Sequence, residues 1–119
     1  MNVNVEEEIW ASGRAIVEEV DPALAREAEH RFVELITFCD AGVIVAALNR
    51  LITAYFIEFP VWARNLAFRL AVVDTPDDST LLRRAAADLR CFGPDWDSEA
   101  DSLELRADAL DGRSRVPTR

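Results

Sequence analysis

Apolar residues recur along this chain at helical spacing, three and four positions apart, and no stretch alternates with the period of a strand. Turn residues break the pattern about every 15 to 20 positions, close to one helix plus its connection. The first helix is expected over Val5–Val20, with Ile9, Gly13, Ile16 and Val20 on one face and Asn4 and Glu7 as a capping pair. Gly13 weakens that helix, so its place in the apolar stripe suggests the close approach of another helix. Asp21 and Pro22 open the second helix as N-cap and first helical residue. Its inward stripe reads Leu24, Ala28, Phe32, Leu35 and Cys39, with Glu27 and Arg31 paired on the outside.

The third helix is expected from Asp40 to Phe59, where Pro60 ends it, and the fourth from Pro60 to Val73. In the segment starting "DTPDDS", Thr75 reads as a cap, Pro76 as the first residue of the fifth helix, and Asp77 and Asp78 as its acidic first turn. The sixth helix carries Trp96, Ala100, Leu103, Ala107 and Leu110 as its seam and ends at Gly112 in the C′ position.

The third helix sets the architecture. Ile44, Leu48, Leu51 and Tyr55 form one seam, and Val45, Ile52, Phe56 and Phe59 a second. Only the strip through Gly42, Ala46, Asn49 and Thr53, with Arg50 beside it, is small or polar. A helix apolar nearly all round has to be covered nearly all round. The expected fold is therefore all-α, a compact bundle of five or six short helices with a central apolar third helix. Residues 1–112 would form one helical domain and 113–119 a disordered, arginine-bearing tail. The run from Gly42 to Val73 is not a membrane span, because Asn49 and Arg50 lie in its middle and Pro60 cuts it.

Charge sharpens this picture. The 119 residues carry a formal net charge of -9. Residues 94–111 hold -6 and residues 1–34 hold -6, whereas residues 41–73 hold +2. An acidic shell around an apolar middle disfavours nucleic acid and anionic lipid, and suits a basic protein partner. All 13 basic residues are arginine, and lysine and glutamine are absent, which is the composition of a GC-rich bacterial genome. The N-terminus has neither the basic nor the apolar region of a signal peptide, so a cytoplasmic location is expected. Cys39 and Cys91 read as reduced, half-buried thiols.

Little in the sequence points to catalysis. His30 is the sole histidine and falls outside the apolar stripe of its helix. Glu27 and His30 have the spacing used in di-metal carboxylate bundles, but no second such motif accompanies them. The cysteines form no zinc pattern, the four glycines form no phosphate loop, and the acidic loops lack calcium-hand spacing. No cofactor or metal is expected. The stretch "WARNLAFRLAVVDTPDDSTLLRRAAADL" is similar in rhythm to one helical hairpin of the tetratricopeptide kind. It does not recur at a fixed period, so no family follows from it.

Three functions fit. The favoured one is a non-enzymatic acidic module for protein interaction, an adaptor, assembly or regulatory subunit that self-associates as a homo-oligomer, most simply a homodimer. Its surface, or a pocket, would include Asn49, Arg50, Tyr55, Glu58, Phe59 and Trp62. The second is an immunity or inhibitor protein that covers a basic site with Asp95, Asp97, Glu99 and Asp101. The third is a small-molecule enzyme or binder with an apolar pocket between the third and fourth helices, lined by Tyr55, Phe59 and Trp62.

Overall fold

A computed structural model describes residues 4–114. They form six α-helices and a short 3-10 helix, with no strand among them: α1 (Val5–Glu18), α2 (Pro22–Thr37), α3 (Ala41–Ala54), α4 (Val61–Asp74), α5 (Ser79–Arg90), the 3-10 turn Pro94–Trp96, and α6 (Asp97–Ser114). The fold is all-α, as the periodicity requires. No helix among the described residues is long and apolar enough to cross a membrane. The chain divides into two compact units, Met1–Ala71 and Val72–Arg119, with the boundary inside α4. They are described separately.

In the first unit, short polar side chains start the helices. Asn4 accepts from the Glu7 N–H at 3.2 Å, Asp21 from the Ala23 N–H at 2.9 Å, and Asp40 from the Val43 N–H at 3.0 Å. Each satisfies a donor that the first helical turn leaves open. Pro22 occupies the first position of α2. α1 stops at Glu18 rather than Val20, because Asp21 precedes a proline and is held extended.

Buried Ala28, Phe32 and Ile36 form the inward line of α2. That line departs from expectation. Leu24 is 49% exposed, and Ile36 replaces Leu35 as the fully buried residue. Arg31 does not pair with Glu27. It reaches Glu34 on its own helix at 3.2 Å and Glu8 on α1.

α3 buries Ala41, Ile44, Ala47, Leu48 and Leu51 and half-buries Val43, Val45, Ala46 and Ile52. Gly42, Asn49 and Thr53 are exposed, so the small and polar strip falls where the pattern put it, apart from half-buried Ala46. Gly13 has the role its position implied. A Cβ there would stand 2.5 Å from Leu51 Cδ1, so α1 and α3 pack as closely as glycine allows.

α3 ends at Ala54, not Phe59. Tyr55 leaves the helical region at φ -137°, and residues 55–60 form a turn into α4. Phe59 folds back into the core and meets Phe32 edge-to-face, with ring centroids 5.6 Å apart.

The second unit is built on a helical hairpin. α5 starts at Ser79, not at Pro76. The Thr75 carbonyl accepts the Asp78 N–H in a turn at 3.2 Å, and Asp78 caps the helix by accepting from the Leu81 N–H at 3.0 Å. Gly93, at φ 104°, sits in the left-handed region that glycine tolerates and redirects the chain into the 3-10 turn. Ala86, Leu89 and Ala100 form a small core, with Trp96 and Leu103 packed on it. α6 continues through Gly112 to Ser114 instead of ending before the glycine. Its final turns are tied to α5, since Asp111 accepts from Ser79 Oγ at 2.7 Å and pairs with Arg83. Residues 115–119, part of the expected tail, lie outside the described residues.

Replacing Gly13 by Ala tests the α1–α3 contact. The exchange gains up to about 1 kcal/mol of helix propensity, but Leu51 is fully buried and has no solvent to move into. We expect a net destabilisation of about 1–3 kcal/mol in urea unfolding. The cost of Leu51→Ala should shrink when it is combined with Gly13→Ala, since the methyl then fills part of the cavity.

Candidate protein-binding surface

The α3–α4 turn places large apolar groups in solvent. Phe56 is 48% exposed, Ile57 76% and Trp62 40%, with Glu58 exposed among them. Pro60 explains why an ordered turn forms here. In a continuous helix the Phe56 carbonyl would accept the N–H of residue 60, and proline has none. Arg64, one turn further on, supplies the donor. Its Nη1 donates to the Phe56 carbonyl, and its guanidinium carbon stands 5.0 Å from the centre of the Phe56 ring. Arg64 is 0% exposed, the largest fully buried side chain among the described residues. Among the described residues no buried side-chain nitrogen or oxygen lacks a hydrogen-bond partner, so this cation is satisfied inside the fold.

One side of the turn is joined to α1 by a ladder of charges and rings. Arg50 pairs with Glu6 at 3.4 Å and with Glu7, and lies 4.8 Å from the Trp10 ring centre. Trp10 in turn stacks on Tyr55 at 6.1 Å. The Tyr55 hydroxyl donates to Glu18, which also accepts from Arg14 Nε at 3.2 Å. Both ends of the ladder carry carboxylates from α1. The Glu18 carboxyl titrates below its ordinary range because it accepts from Tyr55, and secondarily from Arg14. The Tyr55 phenol titrates above its ordinary value, chiefly through the same hydrogen bond and then through burial.

The six residues singled out by sequence therefore divide. Asn49, Glu58 and Trp62 are exposed, Arg50 and Tyr55 are half-buried and held by α1, and Phe59 is core. Tyr55, Phe59 and Trp62 face three different surroundings: α1, the interior and solvent. The residues that sequence reasoning missed are Phe56, placed in a buried seam, and Ile57 and Arg64, which it did not single out. The available signal was an arginine inside an apolar run, one turn after a proline.

Among the acids of the second unit, Asp95, Asp97, Glu99 and Asp101 are all exposed. Asp101 and Glu104 hold Arg90 of α5 at 2.6 and 2.7 Å, and Asp97 stands 3.9 Å from it. Arg83 is held by Asp108 at 2.9 Å and by Asp111. Much of the acidic face of α6 thus closes the hairpin. Cys39 is half-buried and Cys91 exposed, both as free thiols. Burial, with Asp40 and Glu8 nearby, pushes the Cys39 thiol up. His30 is exposed, and no group of three or more His, Cys, Asp or Glu among the described residues could hold a metal ion.

Two measurements check this geometry. Tyr55 is the chain's only tyrosine, so near-ultraviolet phenolate absorbance reads it alone. Its midpoint should lie above 10 and return toward it in Glu18→Gln. The native state keeps the Tyr55 proton after the unfolded chain has released it, so this contact's stability falls as pH rises above 10. At the acid end the Glu18 contribution is present above 4.5 and is lost as pH falls through the lower native value. Separately, Arg64→Met leaves the Phe56 carbonyl without its donor. It should cost about 2 kcal/mol or more and move Trp62 fluorescence in a Trp10→Phe, Trp96→Phe background. No protein-family model, curated protein or solved structure matches the chain.

Proposed function

We propose that this protein is a protein-interaction module that self-associates through the α3–α4 turn, with binding rather than catalysis as its activity. The observation carrying this reading is the group Phe56, Ile57 and Trp62, held in solvent by a turn that the buried Arg64 fixes. A preformed apolar surface loses little conformational entropy when it is covered.

Charge favours a second copy as its cover. A chain of net charge -9 repels itself over most of its surface. Residues 41–73 contain a single acid, Glu58, so two copies can meet at this turn with few acids opposed. Aromatic anchors of this kind supply most of the binding energy in such contacts.

Sedimentation velocity across a concentration series tests the proposal. The wild-type chain should shift from monomer to dimer, and Ile57→Asp and Trp62→Glu should remain monomeric with unchanged helical circular dichroism. Both positions are exposed, so these substitutions spare the core. A wild-type chain that stays monomeric at every concentration, or variants that dimerise like it, would overturn the reading.

A further inference from the structure

α1 and α2 form an antiparallel hairpin, as the Glu8–Arg31 pair at one end and the Glu19–Asp21 hydrogen bond at the other require. Along this hairpin lies an open recess of about 780 Å³. Ala11, Ser12, Ala15 and Ala28 are the small residues of its lining, and the Glu8–Arg31 pair crosses from α1 to α2 at one end. Half-exposed Leu24 borders it, the apolar stripe of α2 running out into solvent. The lining carries Glu8 of α1, Glu19 just after that helix, and Glu27 and Glu34 of α2, with Arg31 the one arginine among the lining residues. Arg31 is already shared between Glu8 and Glu34, and Glu27 has no ion pair among the described residues. With His30 neutral, the lining bears a net charge of -3.

We propose that this trough binds a basic amphipathic helix of another protein. Four physical arguments select that occupant. The small residues of the lining let a third helix approach to the roughly 8–10 Å of ordinary helix packing. From Glu8 to Glu19 the trough follows α1 for roughly 16 Å at the helical rise of about 1.5 Å per residue, which accommodates three turns of a partner helix.

The trough also cannot serve an extended peptide. Such a peptide must find partners for its own backbone N–H and C=O groups. The backbones of α1 and α2 are bonded within their helices, and the Ser12 hydroxyl already donates to the Ile9 carbonyl. A helix brings its hydrogen bonds with it.

Finally, the acidic walls call for arginine or lysine on both flanks of the partner's apolar stripe. A second copy of this chain does not supply that helix. α5, the described helix with the most arginines, commits two of its three, Arg83 and Arg90, to α6. This site does not involve the α3–α4 turn, so it stands or falls independently of self-association.

The test uses the full chain and a panel of fluorescein-labelled, alanine- and leucine-striped helical peptides, flanked either by arginine and lysine or by glutamate. Anisotropy should show saturable binding of the basic peptides, weakening as salt rises, and none of the acidic ones. Glu19→Arg with Glu27→Arg should weaken binding by about tenfold or more, and Ala11→Trp, which plugs the trough at an exposed position, should abolish it. Ile57→Asp should bind as the wild type does. Amide chemical-shift mapping should place the peptide on α1 and α2. Failure of every basic peptide to bind, binding unchanged by the charge reversals or the plug, or shifts confined to the α6 acids would each overturn the proposal. An extended bound peptide, read from transferred nuclear Overhauser effects, would also overturn it.

Discussion

Pro60 leaves the Phe56 carbonyl without a backbone donor, and the first unit is organised around the remedy. A buried arginine one turn later supplies the missing hydrogen bond and lies against the Phe56 ring. Burying a guanidinium is costly unless its donors are satisfied, and here they are. The consequence is a turn of one defined shape. Phe59 enters the core against Phe32, whereas Phe56 and Ile57, its neighbours in the chain, remain outside. The same arginine therefore supports both the interior and the exposed apolar surface proposed for self-association.

Arginine has a second use in this fold. Arg31 and Arg50 draw the acidic first turn of α1 toward α2 and α3, and Arg83 and Arg90 hold α6 to α5. These pairs are partly exposed, and each contributes little in isolation. Their value lies in direction, because a branched guanidinium can engage two carboxylates at fixed geometry. Thus Arg90 bridges Asp101 and Glu104, one helical turn apart. Acids that would repel one another along α6 become its attachment to α5. The acids of the α1–α2 trough are less fully neutralised, which separates that surface electrostatically from the rest.

Local features were readable from residue order. Asn4, Asp21 and Asp40 cap helices because a short polar side chain reaches an N–H two or three residues along, whatever the rest of the chain does. Gly13 could be recognised as a contact because glycine inside an apolar stripe has no local reason to be there. The burial of Ile44, Leu48 and Leu51 followed from period alone. The errors have a common cause. α3 stops five residues early, α5 starts three residues late and α6 runs past Gly112 because hydrogen bonds between distant or adjoining segments outweigh propensities worth at most about 1 kcal/mol per residue.

The sequence by itself determined that the protein is helical, where most helices begin, that Ile44, Leu48 and Leu51 of α3 are buried, and that the molecule is acidic. Those properties depend on spacing and composition, which are read along the chain. Only the tertiary structure decided that Arg50 and Tyr55 are bound to α1, that Phe59 is buried while Phe56 and Ile57 are not, and that Arg64 is the residue on which this turn depends. Each of those outcomes is a choice among several available partners. Long side chains make that choice in three dimensions, where separation along the chain no longer measures distance.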